Sequence, residues 1–126
     1  MTRILVVEDD PSLRRLYKNE LEAEGYIITV AENGRQALAQ VSRETPDLVI
    51  MDIRMPEMDG LNAMVEILQR HHKVPVILNT AYSCYMDDFL AWAADGYVIK
   101  SSDLEPLKSK IREVLASRSA DQAPSG

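Results

Sequence analysis

The chain has 126 residues, of which 46% are hydrophobic, and its formal net charge is −6. This length suits one compact domain that buries enough apolar surface to need no cross-link. Cys84 is the single cysteine, so the chain has neither an internal disulfide nor a cysteine-based zinc site. The acidic balance disfavours direct nucleic-acid binding, which needs clustered lysines and arginines.

The N-terminal sequence predicts no secretory leader, because seven residues with one basic side chain run directly into three acids. No apolar run approaches the roughly 20 residues that cross a membrane. We therefore expect a cytoplasmic location and no membrane partner. Residues 119–126 are small and polar, which predicts a domain over residues 1–118 followed by a flexible C-terminal tail or the start of a linker.

The first half of the chain alternates short β-branched runs with helical patterns. Residues 4–7 predict a first strand, after which Asp10 is a natural helix N-cap. Apolar residues then recur at helical spacing up to Gly25, a typical helix stop. Residues 27–30 predict a second strand, whose alternating polarity is typical of a sheet edge. A second helix follows the turn at residues 33–34.

The second half of the chain continues this alternation. Residues 48–51 are apolar throughout, which predicts a buried, central third strand. Residues 74–78 predict a fourth strand and residues 97–99 a short fifth, and Ser102 with Glu105 indicates a capping box that opens the last helix. The apolar faces of the third and fourth predicted helices are Leu61, Met64, Val65 and Leu68, and Met86, Phe89, Leu90 and Ala93.

Five β-α repeats in strict alternation predict an α/β fold, in which a doubly wound five-stranded parallel sheet carries five helices. For a flavodoxin-like fold we expect the strand order 2-1-3-4-5. Ligands of such sheets bind beyond the carboxyl ends of the strands. The residues that follow the predicted strands are therefore candidates for a shared site: Glu8 and Asp9, Asp52, Thr80, and Lys100.

These residue types suit phosphoryl chemistry together with a divalent cation. Carboxylates about 5 Å apart repel by roughly 3 kcal/mol per pair at an effective dielectric constant near 20. This repulsion would be relieved if one acid held a proton or if a cation bound to the carboxylates. Mg²⁺ prefers oxygen ligands of this kind. One carboxylate could then attack a phosphoryl group, while the ammonium and hydroxyl groups stabilise the phosphoryl oxygens.

Four separated segments resemble the response-regulator receiver family of two-component signalling, and they match it in order and spacing. They are ILVVEDD at residues 4–10, DLVIMDIRMPEMDG at 47–60, NTA at 79–81 and GYVIK at 96–100. The resemblance covers residues 3 to about 116. It implies a phosphorelay protein, similar to chemotaxis receivers, that is phosphorylated on Asp52 by a sensor histidine kinase or a histidine phosphotransfer protein.

The resemblance also implies a role for each matching residue. The implied metal ligands for Mg²⁺, with Mn²⁺ as a substitute, are Glu8, Asp9, Asp52 and the backbone carbonyl of Arg54. Thr80 and Lys100 would act with Asp52 in the catalysis. Thr80 and Tyr97 would be switch residues, and Arg54 and Tyr82 would tune the rate of dephosphorylation.

The resemblance implies that the product of phosphorylation is a changed conformation of the domain itself. The protein would catalyse only its own phosphorylation and dephosphorylation, so it is not expected to be an enzyme that acts on other molecules. The surface of helix four, strand five and helix five would change shape for a downstream protein, with a homodimer on activation as one outcome.

Ser101 departs from the family pattern, which usually has proline there, and this predicts a different construction of the loop that carries Lys100. The alternative function is a pseudo-receiver, a protein-interaction module without phosphotransfer. An aspartyl phosphatase is disfavoured, because it would need a second aspartate where this chain has Arg54. Asp10 and Asp59 both precede predicted helices, and we interpret them as helix caps and not as metal ligands.

Overall fold

A computed structural model describes residues 1–52, 60–71, 73–81 and 94–122. Within these ranges strands and helices alternate along the chain, except that no described helix stands between the last two strands. The strands are β1 (Arg3–Val7), β2 (Ile27–Ala31), β3 (Leu48–Met51), β4 (Val76–Thr80) and β5 (Gly96–Ile99). The helices are α1 (Pro11–Ala23), α2 (Gly34–Arg43), α3 (Gly60–Arg70) and α4 (Glu105–Gln122).

The five strands form one sheet in the order β2-β1-β3-β4-β5, and every neighbouring pair is parallel. The predicted fold class and strand order are confirmed. β3 is buried along its whole length between β1 and β4, and β2 forms an edge, as its alternating sequence indicated. The fifth predicted helix is α4 of the structure, because the fourth, Met86 to Ala93, lies outside the described residues.

Helices cover both faces of the sheet, and each face has its own apolar core. Alternate residues of the strands contact α2 and α3 on one face, and the intervening residues contact α1 and α4 on the other. Burial of both faces explains why the central strands are apolar throughout. Helix residues of the first core are Ala37, Val41, Ala63, Met64 and Ile67; those of the second are Tyr17, Leu21, Leu107, Ile111 and Val114.

α1 begins as its sequence predicts. The Asp10 carboxylate accepts hydrogen bonds from the backbone N–H groups of Ser12 at 2.8 Å and Leu13 at 3.2 Å. Pro11 is the first helical residue and lacks the N–H group that would otherwise need a partner. Gly25 follows the helix with φ +96°, a conformation that a side chain would strain. The cap interpretation of Asp10 is therefore confirmed.

β4 begins and ends two residues later than the sequence predicts. Pro75 has no N–H group to donate to the sheet, and the carboxylate of Asp95 accepts the hydrogen bond of Val76 N at 3.0 Å. Asp95 N in turn donates to Val76 O at 2.8 Å. The strand therefore starts at Val76, and its last residue is Thr80, which pairs with Ile99 of β5. Thr80 was predicted to follow the strand and instead ends it.

The start of α4 differs from the prediction. Asp103 Oδ1 accepts a hydrogen bond from Glu105 N at 3.0 Å, so Asp103 and not Ser102 caps this helix. The helix continues to Gln122, and no glycine or proline interrupts its sequence after the first turn. In the described ranges, no helix combines the length with the hydropathy that crossing a membrane requires.

Candidate functional site

The backbone ladder of the sheet continues one residue beyond three strands and positions the candidate residues there. Glu8 N donates to the carbonyl of the last β2 residue at 3.0 Å, and Asp52 N donates to that of β1 at 3.1 Å. Lys100 N donates to the carbonyl of the last β4 residue at 2.7 Å. These three side chains therefore start from fixed backbone positions at the carboxyl edge of the sheet.

Three carboxylates meet at this edge. One carboxylate oxygen from each of Glu8, Asp9 and Asp52 lies within 4.8 Å of the other two. Glu8 is 2% exposed and Asp52 is 7% exposed, whereas Asp9 is an exposed residue. The structure thus brings together the three acids that follow β1 and β3, and two of them are removed from water.

The Lys100 ammonium joins two of these carboxylates. Its Nζ lies 2.5 Å from Glu8 Oε1 and 3.0 Å from Asp52 Oδ2. β4 separates β5 from β3, and neighbouring strands lie about 4.8 Å apart, so the lysine side chain crosses the carboxyl end of β4. Thr80, the buried last residue of β4, therefore lies at the end of the strand between Asp52 and Lys100.

Ser101 does not displace the lysine. Its hydroxyl oxygen accepts a hydrogen bond from Asp103 N at 3.1 Å, which closes a tight turn after β5. The described residues contain no cis peptide bond. Lys100 keeps its position because the bond to β4 fixes its backbone before the chain reaches residue 101.

Burial and charge together determine the protonation of the site. Burial raises the pKa of Glu8 to about 7, the negative charge of Asp52 acts in the same direction, and the Lys100 hydrogen bond opposes both. Burial alone would lower the pKa of Lys100, but its hydrogen bonds to Glu8 and Asp52 raise it above the usual value, so the ammonium stays charged. One cationic side chain offsets the repulsion among three acids only in part.

A cleft of about 260 Å³ opens over these groups, and its walls include Glu8, Asp9, Leu13, Asp52, Ala81 and Lys100. This volume is large enough for a cation with bound water molecules and a small anionic group. The carboxylate oxygens that meet here are hard ligands, which suit Mg²⁺, Ca²⁺ or Mn²⁺ better than the softer metals. The residues therefore fit a divalent cation together with a small anionic group.

The other predicted site residues fall into two groups. Tyr97 is half-buried on β5 and packs against the core that α2 and α3 cover. Arg54, Tyr82 and Asp59 lie outside the described residues, so their predicted roles remain predictions.

Sequence reasoning missed two contacts around the acids. Arg14 donates hydrogen bonds to the backbone carbonyls of Glu8 and Asp9, and nothing in the sequence marked it except its place in the first turns of α1. Tyr17 lies in the apolar face of α1, and its hydroxyl group is hydrogen-bonded to the side chain of Asn79. Burial raises the pKa of this tyrosine. A tyrosine in an apolar stripe does signal a buried polar partner, although it does not identify that partner.

The chain matches the response regulator receiver domain family over residues 4–112. It is 47% identical to the response regulator protein TrrA from Thermotoga maritima, solved in complex with Mg(2+)-BeF, with a TM-score of 0.88 and coverage of 90% of this chain and 99% of that one. TrrA in complex with the histidine kinase ThkA gives 48% identity and a TM-score of 0.86, with coverage of 91% and 99%. The regulatory protein AtoC of Escherichia coli (strain K12) is 39% identical over 117 residues, which is 91% of this chain and 25% of AtoC.

The parallel sheet and the acidic cleft at its carboxyl edge define a receiver-type α/β domain. The chain belongs to the response regulator receiver domain family of two-component systems. It spans a quarter to about half the length of the first curated relatives that it matches.

Proposed function

We propose that this domain accepts a phosphoryl group on Asp52 from a sensor histidine kinase or a histidine phosphotransfer protein, with Mg²⁺ as the cofactor and Mn²⁺ as a substitute. The observation that carries the proposal is the meeting of three carboxylates within 4.8 Å, with the Lys100 ammonium bonded to two of them. The likeness to TrrA, which has been solved with Mg(2+)-BeF and with a histidine kinase, supports it.

Asp52 acts as the nucleophile in this reaction. A carboxylate oxygen of Asp52 attacks the phosphorus atom, and the bond from phosphorus to the donor histidine nitrogen breaks. That nitrogen keeps the electron pair, and an acyl phosphate remains on Asp52. Hydrolysis ends the phosphorylated state. Water attacks phosphorus, the bond from phosphorus to the aspartate oxygen breaks, and the carboxylate and inorganic phosphate are released. The domain thus acts only on its own phosphorylation.

Lys100 and Thr80 stabilise the charge that the phosphoryl group brings. The Lys100 ammonium lies 3.0 Å from Asp52 Oδ2, so a phosphoryl group bonded to Asp52 comes within its reach. Thr80 supplies a hydroxyl donor from the end of the strand between them. Fixed donors in a partly buried site stabilise developing oxyanion charge more than the same groups do in water.

A divalent cation would be held by Glu8, Asp9, Asp52 and the backbone carbonyl of Arg54. When bound, it would screen the repulsion between the carboxylates and the incoming phosphoryl oxygens. The partial neutralisation by Lys100 leaves a net negative site, which favours such a cation.

The switch would run through β4 and β5. A hydrogen bond from Thr80 to the phosphoryl group would draw the end of β4 toward Asp52, and Tyr97, which packs beside β4, would move inward. The surface of β5, α4 and the segment that precedes β5 would then bind an unidentified downstream protein, or a second copy of the chain. A differential interaction of a few kcal/mol is enough to shift such an equilibrium. No direct nucleic-acid or membrane binding by this domain is proposed.

Incubation with a small acyl phosphate and Mg²⁺ is expected to add the mass of one phosphoryl group to the protein. The added group should be lost on treatment with hydroxylamine, because acyl phosphates react with that nucleophile. Intact-protein mass spectrometry measures both changes, and a sample treated with a chelator is the control. A protein that gains no mass under any of these conditions would instead be a pseudo-receiver.

The affinity for Mg²⁺ is expected to rise with pH and to level off above about pH 7. Burial holds the pKa of Glu8 near 7, so below that pH the cation must displace a proton, and its apparent affinity should fall by about tenfold for each pH unit. The folded metal-free protein also binds this proton more tightly than the unfolded chain does. The contribution of protonated Glu8 to the free energy of unfolding is therefore fully present below about pH 4.5 and is lost as the pH rises through 7.

Calorimetric titration of Mg²⁺ between pH 5.5 and 8.5, a range set about the value near 7, measures this dependence. Glu8→Gln removes the titrating group and should give a weaker affinity that changes little with pH over the same range. An unaltered protein whose affinity is flat across pH 7 would contradict the protonation assigned to Glu8.

A further inference from the structure

Arg14 links the acidic turn after β1 to two neighbouring elements. Its Nη1 donates to the backbone carbonyl of Glu8 at 2.9 Å and to that of Asp9 at 3.4 Å. Its Nη2 lies 3.6 Å from Glu32 Oε1, in the loop between β2 and α2. The Arg14 side chain is only 18% exposed and that of Glu32 is 60% exposed, so the bond to the Glu8 carbonyl is the best shielded of the three contacts.

The carbonyl contacts leave the carboxylates available. Lys100 binds Glu8 and Asp52 through their carboxylate oxygens, which are the atoms that a cation would use. Arg14 instead binds main-chain oxygens of Glu8 and Asp9, so it can hold the turn in place without competing for a metal. Nη1 serves both carbonyls while Nη2 faces Glu32, so the planar guanidinium group contacts the turn and the β2-α2 loop at the same time.

Both ends of this link are anchored. Arg14 N donates to Asp10 O at 2.9 Å, in the first turn of α1. Glu32 N donates to Gln36 Oε1 at 2.9 Å, which ties the β2-α2 loop to α2. The guanidinium group therefore connects the acidic turn to the start of α1 and to the loop that leads into α2.

We propose that Arg14 is a positioning residue, which holds the backbone of Glu8 and Asp9 in the geometry that the divalent cation needs. This inference rests on the proposed function, since it assigns the same turn a metal-binding role. Mg²⁺ demands near-octahedral geometry, so small displacements of its ligands are costly. Loss of groups that orient metal ligands typically lowers metal affinity by about 10- to 100-fold.

The test compares Arg14→Met with Arg15→Met. Both variants remove one positive charge from adjacent positions of α1, but Arg15 is exposed, whereas Arg14 contacts the acidic turn. Mn²⁺ affinity, measured from the electron paramagnetic resonance of the free ion, should fall by about tenfold in Arg14→Met. It should change less than about twofold in Arg15→Met, because no ligand is displaced. Arg14→Lys keeps the charge but has one terminal nitrogen, so it cannot contact the carbonyls and Glu32 in the same way, and it should lie between the unaltered protein and Arg14→Met.

A second readout separates positioning from general loss of structure. Phosphorylation of Arg14→Met by a small acyl phosphate should need about tenfold more Mg²⁺ for half-maximal rate, while the rate at saturating Mg²⁺ approaches that of the unaltered protein. Mn²⁺ affinity of Arg14→Met within twofold of the unaltered protein would overturn the role. If circular dichroism shows that Arg14→Met is unfolded, unaltered affinity in Arg14→Lys would overturn it. Failure of the unaltered protein to bind Mn²⁺ would instead overturn the proposed function.

Discussion

Replacing Asp52 with asparagine is expected to abolish the mass gain from a small acyl phosphate and Mg²⁺. The asparagine side chain has nearly the same shape, but its amide is not a nucleophile toward phosphorus and cannot form the acyl phosphate. Asp52 is 7% exposed, and its backbone N–H group is bonded to β1, so an isosteric change leaves the strand end in place. The loss of reaction should therefore be complete while the protein remains folded.

Asp103→Asn is the matched control. Asp103 is an exposed aspartate that caps α4, and asparagine caps helices about as well as aspartate does. This variant should gain one phosphoryl group at the rate of the unaltered protein. Intact-protein mass spectrometry with circular dichroism compares the two variants. A phosphoryl group on Asp52→Asn would place the acceptor on another residue and remove the basis of the proposed reaction.

The strand order was expected from the flavodoxin-like fold, whereas the sequence pattern itself distinguished a central strand from an edge strand. β3 is apolar at every position, and a strand buried on both faces has this pattern. β2 contains Thr29 and is only partly buried, as is typical of an edge strand. Right-handed connections between parallel strands leave few arrangements of such elements. The end points were less predictable, since β4 starts where a carboxylate from residue 95 binds a strand N–H group, and no local pattern contains that contact.

The convergence of acids was predictable for a similar reason. Carboxyl ends of parallel strands meet at one edge, so residues that follow the strands must be neighbours. The partners of those acids could not be predicted in the same way. Arg14 and Glu8 come together through the turn into α1, and Lys100 reaches Glu8 across two intervening strands. Such contacts depend on side-chain length and direction in the folded protein.

Lys100→Met is expected to separate metal binding from phosphoryl transfer. The ammonium is bonded to Glu8 and Asp52, so in the metal-free protein it competes with a cation for the same carboxylate oxygens. Once the pH is high enough for Glu8 to be ionised, its removal should leave the Mg²⁺ affinity equal to or higher than that of the unaltered protein. The phosphorylation rate at saturating Mg²⁺ should nevertheless fall by about 100-fold, because one fixed donor to the phosphoryl oxygens is lost.

Lys73→Met serves as the control for charge. Lys73 is exposed and precedes β4, away from the carboxyl edge of the sheet, and its replacement removes the same single positive charge. Both the affinity and the rate of this variant should lie within about twofold of the unaltered protein, since exposed charges at a distance are screened by salt. Stopped-flow phosphorylation and Mg²⁺ titration measure the two quantities on the same samples.

Lys100→Met should also shift the pH dependence of Mg²⁺ binding to higher pH. The Lys100 hydrogen bond lowers the pKa of Glu8, while burial and the charge of Asp52 raise it to about 7. Without the ammonium the two raising effects act unopposed, so the pKa of Glu8 rises and the plateau of Mg²⁺ affinity begins at a higher pH. A Lys100→Met variant with an unchanged rate at saturating Mg²⁺ would exclude Lys100 from phosphoryl transfer. A plateau that stays near pH 7 would show that the ammonium does not control the proton on Glu8.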